Sequence, residues 1–210
     1  MPKTESPATR PEPTATAEVL VWDMPTRICH GLMALCFIGA WLTAGPAGWR
    51  LAHETLGYSA AGLAVFRIVW GFVGPRYARF SSCVPTPREL LRYLRQWPAG
   101  WGKRYLGHSP AAACGVLLAL SLVLVLAATG GAWPGAHAVA ARGLLVLAGL
   151  SFAAACFGSW RSGENRLRSM FTGTCRGTPA EAIRPARARS AWLLPAALLG
   201  FWCYQWSAVG

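Results

Sequence analysis

Residues 111–133, AAACGVLLALSLVLVLAATGGAW, contain no charged side chain. At about 1.5 Å of rise per residue such a run forms a helix long enough to cross the roughly 30 Å hydrocarbon core of a bilayer. Four further apolar blocks flank it, and the sequence predicts five spans: 28–45, 53–74, 111–133, 136–160 and 191–209. The fifth, carrying Pro195 and a polar, aromatic end from Trp202 to Ser207, has an interfacial helix as its alternative. A chain that is 54% hydrophobic and 13% charged reads as an all-α membrane protein. Its predicted organisation is a disordered polar tail over 1–20, a four-helix bundle over 21–175, a basic linker over 176–190 and a fifth helix over 191–210.

The formal charge of +12 points to topology rather than to nucleic acid. Seven of the 20 Lys and Arg lie between Arg76 and Arg104 and seven between Arg161 and Arg189, while the short connections on the opposite side hold only Arg50. Basic loops stay on the cytoplasmic side of a bacterial inner membrane, which predicts a cytoplasmic N-terminus and, with five spans, an outer C-terminus. The tail from Met1 to Ala17 has no apolar core and reads as neither a signal peptide nor a folded domain. Seven cysteines form no CxxC pair and no CxxCH, so covalent haem attachment is excluded and the thiols read as small packing residues.

Ionisable groups inside a bilayer are expensive and therefore informative. There are four histidines. His30 opens the first span and His108 precedes the third, both on the cytoplasmic side; His53 and His137 open the second and fourth, both on the outer side. Because the second and fourth spans run inward in parallel, His53 and His137 sit at matching depth. Two neutral imidazoles on neighbouring helices suit the axial positions of a low-spin haem b iron. A lone interfacial histidine would as readily serve a headgroup or a carbonyl; the match in depth favours the pair.

Arg67 lies 14 residues after His53, which returns it to nearly the same helix face about 21 Å deeper, at the depth of His30. Two readings stand there: a partner for haem propionates or a quinone oxygen, or a side chain snorkelling to the cytoplasmic headgroups. Arg142 falls on another face of its helix and takes no role.

VWDMPTRICHGLM (21–33), HETLGYSAAGLAVFRIVWGFVGPRYARF (53–80), RYLGHSP (104–110) and ENRLRSMFTG (164–173) together resemble the bacterial cytochrome b561 group, which includes the cytochrome b subunits of nickel-iron hydrogenases. The resemblance implies a four-helix bundle holding two b haems. By position His53 and His137 would hold the outer haem, and His30 would be one ligand of the inner haem. The family's remaining histidine falls on Ser151, which leaves the inner haem absent, five-coordinate, or completed by another group such as His108.

The implied role is an electron carrier, not a catalyst of bond chemistry. It would link the quinone pool to a partner at the outer face, either a periplasmic c-type cytochrome or a hydrogenase-like enzyme of a respiratory chain. A single-haem or haem-free anchor subunit is the alternative, and a transporter marked by Arg67 and Arg142 is a third class. No acidic pair, activated nucleophile or phosphate loop suggests a hydrolase or an ATP-driven pump.

Overall fold

The computed structural model describes residues 17–45, 47–95, 105–184 and 191–208. Eight helices and two short strands are present among them: β1 (Ala17–Leu20), α1 (Met24–Leu42), α2 (Arg50–Val73), α3 (Phe80–Cys83), α4 (Pro87–Arg95), α5 (Pro110–Thr129), α6 (Pro134–Ser162), α7 (Arg166–Thr172), β2 (Thr174–Gly177) and α8 (Leu193–Ser207). Short 3₁₀ turns occupy Ala47–Trp49 and Pro179–Glu181.

Local chemistry sets the helix ends. Pro occupies the first turn of α1, α5 and α6, where its missing N–H costs no helical hydrogen bond. Ser109 caps α5 by accepting from the Ala112 amide, and Asn165 caps α7 by accepting from Arg168. Gly163 and Gly173 end α6 and α7 in the left-handed conformation, at φ 65° and 82°.

Among the described residues four helices are long and apolar enough to cross a membrane: α1, α2, α5 and α6, of 19, 24, 20 and 29 residues. This is a multi-pass membrane protein. α8 has 15 residues, about 22 Å of helix, which is short of a full crossing of about 30 Å. The expected fifth span thus takes the form of a helix that packs its Leu194 and Leu198 against the core and reaches Ser59 of α2 through the Trp202 indole N–H, at 2.8 Å.

The spans pack in chain order, α1 on α2, α2 on α5 and α5 on α6. Their shared core contains Cys29, Cys36, Ala60, Ala64, Leu63 and Leu120. Small side chains let backbones approach where no water is being expelled, and the Cys29 thiol donates to the Leu63 carbonyl at 3.4 Å. The six cysteines whose side chains are described are free thiols, two of them buried. Leu35, Ile38, Val65, Phe72, Val146 and Phe152 point outward, as a hydrocarbon solvent requires.

At the end that carries the basic loops, β1 pairs antiparallel with β2, Ala17 opposite Gly177 and Leu20 opposite Thr174. The amides of Val21 and Trp22 both donate to the Gly173 carbonyl, and Tyr77 donates to Glu181 O at 3.1 Å. This clasp shifts both expected boundaries of the bundle. Residues 17–20 belong to the fold rather than to the tail, and the expected linker begins with ordered backbone, because Gly177 is in β2 and Thr178 and Glu181 cap the following turn reciprocally. The tail as far as residue 16, and 185–190 of the linker, lie outside the described residues.

Candidate functional site

The connections between spans bring two histidines to one end of the bundle, opposite the clasp. His53 lies in the first turn of α2 and His137 in the first turn of α6. The last four carbonyls of any helix have no partner within it. Both histidines use one: His53 Nδ1 donates to Ala40 O at 2.8 Å in the last turn of α1, and His137 Nδ1 donates to Leu126 O at 3.0 Å in the last turn of α5. A carbonyl accepts only, so Nδ1 of each ring carries a proton and Nε2 is the nitrogen these bonds leave unengaged. That is the state in which a metal-binding imidazole is normally held, with the far ring nitrogen fixed by a backbone carbonyl.

The two rings meet edge-on, with centroids 6.0 Å apart and planes at 64°. Imidazoles bound about 2 Å from a metal between them have ring centres separated by roughly that distance. α6 packs mainly on α5 and α7. One turn deeper than His53, nothing stands within 4 Å of where a Gly57 side chain would begin. Two oriented nitrogen donors and open space beside a glycine suit a flat, iron-centred macrocycle.

A second group of polar side chains gathers at the clasp end. Arg67, 4% exposed, is buried within α2, donates from Nη1 to Ala78 O at 3.1 Å and lies over the Phe80 ring at 5.3 Å. The side chain is turned into the protein and is not extended toward the headgroups. Arg67 lines a narrow cavity together with His30 of α1 and His108 of the loop before α5, and with Trp22, Val116 and Met170. His30 is exposed on its other side. Trp22 meets the His108 ring edge-on at 4.7 Å. Burial, with Arg67 and His30 beside it, pushes the His108 imidazole down to about 4, so it is neutral at ordinary pH. Ser151 faces α5: its Oγ is 4.0 Å from where a side chain on Gly115 would begin, and it is absent from the cavity's lining. Arg142 is exposed, on a face of α6 away from His137.

The sequence reading missed Asp23. It is 1% exposed and accepts from Thr26 Oγ1 at 2.5 Å and from the Trp70 indole N–H at 2.8 Å, which locks the start of α1 to the last turn of α2. Its place directly before the Pro-initiated helix was the available signal, but a cap and a cross-helix acceptor look alike in sequence.

The family profile described as prokaryotic cytochrome b561 matches residues 21–173. Among curated proteins, the chain is 32% identical over 120 residues to a probable Ni/Fe-hydrogenase B-type cytochrome subunit of Bradyrhizobium diazoefficiens, covering 45% of this chain and 48% of that protein. It is 32% identical over 117 residues to a probable Ni/Fe-hydrogenase 1 B-type cytochrome subunit of Escherichia coli, covering 44% and 50%. The chain thus spans about half the length of these relatives. No solved structure matches. A match that begins at Val21 and runs through all four spans to Gly173 shows that this chain belongs to the prokaryotic cytochrome b561 family, whose members are membrane b-type cytochromes of electron transfer.

Proposed function

We propose that the chain carries electrons between the membrane quinone pool and a redox partner at the outer face of a bacterial inner membrane, through haem b held by His53 and His137. The observation that carries this reading is the pair of imidazoles that meet edge-on, 6.0 Å apart, each with Nδ1 tied to a neighbouring helix and Nε2 left unengaged by these bonds. Bound haem supplies a one-electron couple. The chain's own contribution is to fix the two donors, exclude water with an apolar helix surface, and place a buried guanidinium, Arg67, four turns deeper.

The relatives support one class of partner. Both are described as cytochrome subunits of Ni/Fe-hydrogenases, so a hydrogenase-like enzyme is the first candidate and a periplasmic c-type cytochrome the second. His30 and Arg67, which line one cavity at the clasp end, support a meeting place there for a quinone or a second haem. The basic loops put that end in the cytoplasm and the His53–His137 end outside.

The test is the reduced-minus-oxidised absorption spectrum of the full chain purified in detergent. A b-type α band is expected. Its absence from protein produced with ample haem would contradict the reading and leave a haem-free anchor for a redox complex.

A further inference from the structure

We propose that α4 lies along the membrane surface at the clasp end as an amphipathic anchor, with Leu91 and Leu94 among the acyl chains and Arg88, Arg92 and Arg95 on the phosphates of anionic phospholipid.

Local chemistry fixes where α4 starts and therefore which of its side chains share a face. Thr86 Oγ1 accepts from the Glu89 amide at 3.3 Å and Glu89 Oε2 accepts from the Thr86 amide at 2.8 Å, a reciprocal cap followed by Pro87 in the first turn. At about 100° per residue, Tyr93, Leu90, Leu94 and Leu91 follow one another around one side of the helix, and Arg95, Arg88 and Arg92 fill the neighbouring stripe. The protein covers only one edge of the apolar side. Tyr93 meets Tyr105 with ring centroids 6.0 Å apart and Leu90 is half-buried, whereas Leu91 and Leu94 are 54% and 44% exposed.

Depth and charge identify what covers those leucines. α4 packs on α5, and Tyr105 shortly precedes Pro110, so α4 is held at the level where α5 enters the membrane. The chain arrives there from Phe80, whose ring packs on exposed Phe72 in the last turn of α2. Exposed leucines at that depth meet acyl chains. Among the described residues no carboxylate lies within ion-pairing distance of Arg88, Arg92 or Arg95, and Glu89, the only acidic residue of α4, spends its carboxylate on Thr86. Three exposed guanidinium groups beside exposed leucines make a helix of the interfacial kind, whose basic edge pairs with phosphate oxygens while its apolar edge enters the hydrocarbon boundary. A zwitterionic lipid satisfies the leucines alone; an anionic one satisfies both edges.

The experiment follows backbone amide exchange over residues 88–95 by mass spectrometry in the full chain, held in nanodiscs of phosphatidylcholine alone or with about 30% phosphatidylglycerol. Exchange should slow about tenfold in the mixed discs while the amides of α5 are unchanged. Arg88→Gln, Arg92→Gln and Arg95→Gln together should abolish the difference, although glutamine matches arginine in helix propensity, and Arg88→Lys, Arg92→Lys and Arg95→Lys together should retain most of it. Leu91→Gln with Leu94→Gln should speed exchange in both lipids. Inorganic phosphate added to the phosphatidylcholine discs should change nothing. Equal exchange in the two discs would overturn the assignment and leave the arginines facing water, open to a soluble acidic partner. A difference that survives the glutamine variant, or exchange unchanged in the leucine variant, would overturn it as well. Protection reproduced by inorganic phosphate would also overturn it and assign the arginines to a free anion.

Discussion

Trp70 donates its indole N–H to Asp23 across 2.8 Å, so the last turn of α2 is held by the residue that starts α1. Thr26 donates to the other carboxylate oxygen at 2.5 Å, and the group is 1% exposed. Asp23→Ala leaves one buried donor, Thr26, and one half-buried donor, Trp70, unpaired at once. The expected cost is about 1–3 kcal/mol for each stranded group, an upper bound if they relax toward each other. It should be read as a lowered thermal midpoint in detergent, whereas Asp23→Asn, which keeps one acceptor, should recover part of the loss.

Trp202 and Ser59 join α8 to α2 through one interhelical hydrogen bond. Ser59 in turn donates to Thr55 O at 2.7 Å, so its hydroxyl oxygen is free to accept from the indole. Interhelical hydrogen bonds inside membranes average about 0.6 kcal/mol, because the alternative packings also find partners. A double-mutant cycle on Ser59→Ala and Trp202→Phe should therefore give a coupling of that order. A coupling near zero would show that α8 is held by apolar packing, Leu194 and Leu198 included.

The charge asymmetry predicts sidedness. Reporter fusions in the 96–104 segment should report cytoplasm, and fusions in the short connection at Gly131 should report the outer compartment, following the 14 Lys and Arg of the two long loops against one in the short connections. The reverse pattern would turn the whole site over, placing His53 and His137 toward the cytoplasm.

The spans were readable because bilayer thickness imposes a minimum apolar length: the predicted 53–74 and 136–160 became α2 at Arg50–Val73 and α6 at Pro134–Ser162. The meeting of His53 with His137 was readable for a related reason, since parallel spans that begin at one surface match in depth. The acceptors Ala40 and Leu126 were not, although each lies in the last turn of the preceding helix, because a carbonyl carries no sequence mark. The pairing of Ala17–Leu20 with Thr174–Gly177 escaped because four-residue strands show too little alternation to signal themselves. His108 was read on the side of His30 as a candidate to replace Ser151, and the cavity that the two line together shows them side by side. Arg67 was legible in position and not in direction: helix phase gave its depth, while burial against Phe80 decided between the cavity and the headgroups.

The central claim is that His53 and His137 hold an iron between them. The direct measurement is the low-temperature electron paramagnetic resonance and the haem content of His53→Ala and His137→Ala, prepared alongside wild type. Each single variant should lose the same low-spin species, and the double variant should lose no more than either alone. Low-spin signal and haem content unchanged from wild type in both single variants would contradict the account.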